Sequence, residues 1–178
     1  MAMQQRYLDD FQRGEAFESS PRTLTQKHFA AFAEMTGDAH PIHYDADYAR
    51  GRGWDGPIAH GLMLLGLCAL GAAPISAEVA DSMVAMLGNE VRYKRPAFVG
   101  DTLTPKFTVL TVEPKDNERG ILRLAITLSN QRSELVLEGT THVLMLKRRS
   151  GAESNKARPF LADVTAQFRT VPARCRLE

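Results

Sequence analysis

The run Leu62-Met63-Leu64-Leu65-Gly66-Leu67-Cys68-Ala69-Leu70 is apolar at every position and follows directly on His60-Gly61. A helix that is apolar all round has no face to offer water, so it has to be buried on every side. The apolar stretch, about Leu62 to Ala73, falls well short of the roughly 20 residues needed to cross a bilayer. The pattern therefore predicts a central core helix, starting near His60 and stopping before Pro74, around which the rest of the chain is wrapped.

The wrapping material lies downstream. After Pro74 the period changes, and four strands are predicted at Val84 to Tyr93, Thr102 to Val112, Gly120 to Asn130 and Glu134 to Lys147. In the third, Leu122, Leu124, Ile126 and Leu128 alternate with Arg123, Ala125, Thr127 and Ser129, the mark of a half-buried antiparallel strand. Asp116 to Gly120 and Asn130 to Ser133 carry turn chemistry and close the hairpins. Upstream, Ala16 and Phe17 suit a short strand. Thr25 is placed to cap a helix over about Gln26 to Met35, with Phe29, Phe32, Ala33 and Thr36 on one face and Gly37 ending it. Asp45 caps a short helix, Ala46 to Arg50, that ends in Gly51. Helices first and an antiparallel meander afterwards give an α+β domain, one antiparallel β-sheet curved around a central buried α-helix.

Length bounds this to one domain: 178 residues bury an adequate core without staples. A formal net charge of +1 argues against a nucleic-acid binder. Cys68 and Cys175 stand too far apart in context to read as a disulfide framework, and the Met1 region has no apolar stretch of signal-peptide type. A cytoplasmic chain with no membrane partner is the expectation. Residues 1–13 read as a mobile or loosely docked lead. Residues 148–178 carry seven Lys/Arg against three Asp/Glu and read as a basic C-terminal extension, either a solvated tail or a patch for substrate phosphates.

The chemistry concentrates just before the apolar helix. Thr36-Gly37-Asp38-Ala39-His40-Pro41-Ile42-His43 is a polar loop that cannot be helical throughout, because Pro41 lacks an N–H and holds His40 extended. A carboxylate, an imidazole and the first turn of a buried helix suit acid–base work on a carbonyl compound.

That loop, with Ala49 and Ile58-Ala59-His60-Gly61 after it, resembles the MaoC-like dehydratase family, the (R)-specific enoyl-CoA hydratases. Arg95-Pro96, Gly100-Asp101-Thr102 and Val136-Leu137-Glu138-Gly139 are similar to the family's later landmarks, so the resemblance spans about residues 14–147. It implies a hot-dog fold, pairing into homodimers, and an acyl-CoA thioester substrate with coenzyme A as part of it and no metal or redox cofactor. The commonest family motif has Asn where this chain has His40; a His there occurs in relatives acting on short branched or dicarboxylic acyl-CoAs.

In such a site Asp38 and His43 would hold and activate one water, and the Gly61 backbone N–H would stabilise the thioester oxyanion. His60 would position the turn and His40 brace the loop beside the substrate. Arg92, Lys94 and Arg95 are candidates for the CoA phosphates, and His142 is structural. Two rival enzyme-class readings are a hot-dog acyl-CoA thioesterase and a metal centre on Asp38, His40, His43 and Asp45. Against the metal, Pro41 stands between the two histidines and breaks the helix that would align them. A further rival is an acyl-CoA-binding module without turnover.

Overall fold

The computed structural model describes residues 4–148. Of the expected C-terminal extension, everything beyond Arg148 lies outside the described residues, as does Cys175.

Six strands form one antiparallel sheet. They are β1 (Ala16–Glu18), β2 (Arg22–Thr23), β3 (Met83–Tyr93), β4 (Thr102–Pro114), β5 (Arg119–Ser129) and β6 (Leu135–Leu146). The order is β1-β4-β5-β6-β3, with β2 added on β4. All four long strands stand where their alternation placed them, and only the two-residue β2 was not foreseen. On β5 the expected apolar set is at most 1% exposed, and Phe107, Val109, Leu137 and Val143 from the flanking strands bury beside it. Four helices pack with the sheet: α1 (Gln26–Thr36), α2 (Ala46–Gly51), α3 (Gly61–Leu67) and α4 (Ile75–Glu78). Helix and antiparallel sheet together make the α+β hot-dog architecture.

The central helix is shorter than its apolar run. α3 ends at Leu67, and Leu70–Ala72 forms a separate 3-10 turn. Gly66 and Gly71 flank the break, and each glycine gives up more backbone entropy on entering a helix than any other residue. Ala69 between the two turns is extended, at φ −66 and ψ 123. Nor is α3 covered all round. Met63 and Leu64 are buried, whereas Leu62 is 69% exposed. One curved sheet covers the side that faces it and leaves the N-terminal flank of the helix open.

The lead is not loose. Leu8 is 0% and Phe11 5% exposed. Composition hid this: the stretch is rich in Asp, Arg and Gln, yet Leu8–Asp10 forms one 3-10 turn, and residues three apart in such a turn lie on the same side. Leu8 packs onto β5 at Gly120, where a side chain would collide with it. The Arg6 guanidinium pairs with Glu15 at 2.7 Å, and the Arg6 carbonyl accepts from the Ser82 hydroxyl at 2.5 Å. Leu8→Ala is expected to lower unfolding free energy by about 2–5 kcal/mol in urea titrations. A loss within about 0.5 kcal/mol, the size of an ordinary surface change, would return residues 4–13 to the status of an undocked lead.

Candidate functional site

α1 delivers the site loop. Gly37 closes the helix at φ +75, in the left-handed region that suits glycine, and its N–H reaches the Ala33 carbonyl at 2.7 Å. The chain then turns through Asp38, whose Oδ1 accepts from the His40 N–H at 3.3 Å. His40 stands at φ −60 and ψ 131 and caps a single 3-10 turn, Pro41–His43, by accepting the Ile42 N–H on Nδ1. Pro41 is the first residue of that turn, where its missing N–H costs nothing. His40 thus braces the loop, and its exposed ring is not among the residues that line the cleft described below.

The turn fixes His43. Its Nδ1 lies 2.7 Å from the Ile58 carbonyl oxygen. A carbonyl only accepts, so Nδ1 carries the proton and Nε2 of the neutral ring keeps its lone pair. His60, the residue before α3, stacks on that ring with centroids 3.8 Å apart and planes 25° apart. His60 is 2% exposed and packs against Phe32 at 4.5 Å.

Tyr44 ties the pieces together. Its hydroxyl lies 2.9 Å from His60 Nε2 and 3.1 Å from the carbonyls of both Phe29 and Asp38. With its one proton on a carbonyl, the phenol accepts from His60 Nε2–H. The neutral His60 ring then holds an unprotonated Nδ1, which is buried and has no partner among the described residues. A second proton there would be a buried cation against another imidazole. Burial, first, and the neighbouring His43, second, hold His60 below its ordinary 6.5, while Asp38 pulls the other way. His60 is therefore neutral at neutral pH.

Asp38, His43, His60, Gly61, Leu62 and Tyr93 line a cleft of about 240 Å³. One ligand-type atom from each of Asp38, His43 and His60 falls within 4.8 Å of the others. Stacked imidazoles, however, aim their in-plane lone pairs side by side and not at one point, which suits proton transfer better than a metal. The ligand set weighed from the sequence does not assemble. His40 is engaged with Ile42, and Asp45 caps α2 by accepting from the N–H groups of Asp47 and Tyr48, each at 2.9 Å. A larger depression, about 360 Å³, lies beside Gln4, Arg6, Asp10 and Glu78. Arg6 there is already paired with Glu15 and Glu78, and among the described residues no imidazole or thiol lines it.

Asp38, His43, Gly61 and His60 are thus brought together as expected. Arg92, Lys94 and Arg95 are not brought to the cleft. Arg92 lies opposite Glu138 and Tyr93 opposite Leu137, so Arg92 and Lys94 point to the other face of the sheet from Tyr93. Lys94 Nζ is held by Glu138 at 2.9 Å, and the Arg95 guanidinium donates to the Leu135 carbonyl. His142 sits on the outer side of β6 opposite Arg123, away from the cleft. Cys68 is buried and its thiol is pushed up to about 12 by burial, so it is no nucleophile.

Tyr44 and Tyr93 were missed. A signal existed for each. His60 in an apolar setting demands a hydrogen-bond partner, and Tyr44 is the hydroxyl next to His43. Tyr93 has the parity of Val91, which packs on the core.

The profile of the family described as MaoC like domain matches residues 10–129. An (R)-specific enoyl-CoA hydratase of Rhodospirillum rubrum is 25% identical over 142 residues, 80% of this chain and 93% of its own. A 3-hydroxybutyryl-CoA dehydratase of Methylorubrum extorquens is 29% identical over 142 residues, 80% of this chain and 85% of its own. Among solved structures, an Archaeoglobus protein described as a monoamine oxidase regulatory protein superposes with a TM-score of 0.78 at 32% identity, covering 84% of this chain and 99% of that one. A family profile that spans the lead's Phe11, the whole site loop, α3 and strands β1 to β5 covers well over half of the sequence, and the chain belongs to the MaoC-like domain family.

Proposed function

We propose that the protein is a hydro-lyase that adds water reversibly across the 2,3 double bond of an enoyl-CoA thioester. The observation that carries this reading is the meeting of the Asp38 carboxylate and the His43 imidazole at one cleft, with ligand-type atoms within 4.8 Å of each other, beside a glycine that starts α3. It is supported by relatives named as enoyl-CoA hydratase and 3-hydroxybutyryl-CoA dehydratase.

Water held between Asp38 and His43 loses a proton to one of them as its oxygen attacks the β-carbon. Electrons move onto the thioester oxygen, which becomes enolate-like. The proton then returns to the α-carbon, so the sum is addition of H and OH with no other reactant. His43 is prepared for this by the Ile58 carbonyl, which steadies the imidazolium through Nδ1–H. The oxyanion is met by the Gly61 N–H, a first-turn donor with no place in the helix ladder. Coenzyme A enters as part of the substrate, and the steps need neither metal nor redox group. We place the reaction in the cytoplasm, where CoA esters are free in solution.

We also infer a homodimer. Among the described residues no strand pairs with the outer edge of β3; Met86, Leu87 and Tyr93 on that strand are exposed, and Leu62 on α3 lines the same cleft as Tyr93. An exposed edge of eleven residues invites pairing with a second copy.

Asp38→Asn and His43→Gln each are expected to lower kcat on an enoyl-CoA by about 10²-fold or more, with smaller changes in KM. Because the two groups share one water, the double variant should be little worse than the worse single one. Independent, multiplying losses would show that they do not act as a unit, and wild-type turnover in Asp38→Asn would remove it from the mechanism. Circular dichroism of each variant separates lost chemistry from lost folding. For assembly, light scattering is expected to give twice the 19.7 kDa chain mass at micromolar concentration, and a single-chain mass would contradict the edge pairing.

A further inference from the structure

We propose that Tyr93 is a further catalytic residue, its phenol donating a hydrogen bond to the substrate's thioester oxygen while that oxygen carries enolate charge. This deepens the hydratase reading above and rests on it.

Tyr93 is the last residue of β3 and shares a face with Leu137, the side of the sheet that holds α3. Its ring lies on Gly61. A Cβ added to Gly61 would stand 2.9 Å from Tyr93 Cζ and 3.2 Å from its hydroxyl oxygen. Glycine at 61 therefore gives the phenol room, and the two line the same cleft as Asp38 and His43. The hydroxyl makes no hydrogen bond among the described residues.

The other polar groups of the cleft cannot take this part. Asp38 is an acceptor. His43 donates Nδ1–H to Ile58 and presents an acceptor at Nε2. The neutral His60 ring gives its one N–H to Tyr44, and the Tyr44 hydroxyl is placed between carbonyls. Among the side chains lining the cleft, the phenol of Tyr93 is the donor left unspent. Burial pushes Tyr93 above its ordinary 10, so it is protonated across the working range and stays a donor.

In the reaction, the C–O bond from water to the β-carbon forms as the carbon–carbon π pair moves toward the thioester oxygen. Tyr93 shortens its hydrogen bond to that oxygen and keeps its proton. The proton taken from water by the Asp38–His43 pair goes to the α-carbon, and the thioester carbonyl is restored.

The test is Tyr93→Phe, which keeps the ring and removes one oxygen. On crotonyl-CoA, kcat is expected to fall about 10²-fold, the cost of one oxyanion donor, with little change in KM and an unchanged thermal midpoint. A second arm does not depend on turnover. Acetoacetyl-CoA bound to the wild type should ionise to its enolate, read by near-ultraviolet absorbance, about one pH unit or more below the same ligand bound to Tyr93→Phe. Hydration by the wild type with both readings unchanged in the variant overturns the assignment of Tyr93 and leaves the hydratase reading standing. A wild type that hydrates no enoyl-CoA but shows the enolate shift, lost in the variant, keeps Tyr93 as an enolate donor and overturns the hydratase reading. Neither turnover nor a shift in the wild type overturns both.

Discussion

Burying α3 is the constraint on which the rest depends. Met63, Leu64 and Cys68 are buried in one apolar cluster with Phe107, Leu124, Ile126 and Val143 of the long strands. The helix is only Gly61–Leu67, so its first turn cannot sit far from the sheet that covers it. That proximity sets His60 in a nearly waterless place and Gly61 against the Tyr93 ring. A polar helix start inside an apolar wrapping has to be satisfied by neighbours. The loop from Gly37 to Tyr44 supplies them, and the geometry of the cleft follows from that requirement.

One hydroxyl does much of the fastening. Tyr44 links the α1 carbonyl of Phe29, the backbone of Asp38 and the ring of His60. Helix α1, the site loop and the start of α3 are thereby fastened to one hydroxyl at hydrogen-bond length. The stack of His43 on His60 adds a directional effect. Burial holds His60 below its ordinary value, and the His43 ring stacked on it has its Nδ1–H engaged by the Ile58 carbonyl. The larger charged depression near Arg6 shows the contrast: its groups are closed into ion pairs and stabilise the docked lead.

Much of this was legible in the residues. Strand parity in Leu122 to Leu128, the Gly37 stop and the Asp45 cap all read locally, because each depends on near neighbours in the chain. Asp38, His43 and Gly61 were legible through motif spacing. What was not legible depends on distant partners. Leu8 and Phe11 look like fragments of a polar lead until Gly120 is seen to make room for Leu8. Leu62 reads as core, yet a single sheet leaves it open. Arg92, Lys94 and Arg95 read as a basic run near the site, whereas strand parity and Glu138 turn them away from it. Tyr93 lies more than thirty residues from the glycine it covers, a distance over which no spacing rule carries information.

The central claim is that one water, fixed between Asp38 and His43, is added to a single face of an enoyl thioester. Incubating the wild-type protein with crotonyl-, hexenoyl- and mesaconyl-CoA, following loss of the conjugated enoyl absorbance and resolving the product on a chiral column, tests it directly. The account predicts that at least one of these esters loses its double bond and that a straight-chain product is the (R)-3-hydroxyacyl thioester alone. Release of free CoA with the double bond intact, or an (S) product, would contradict it.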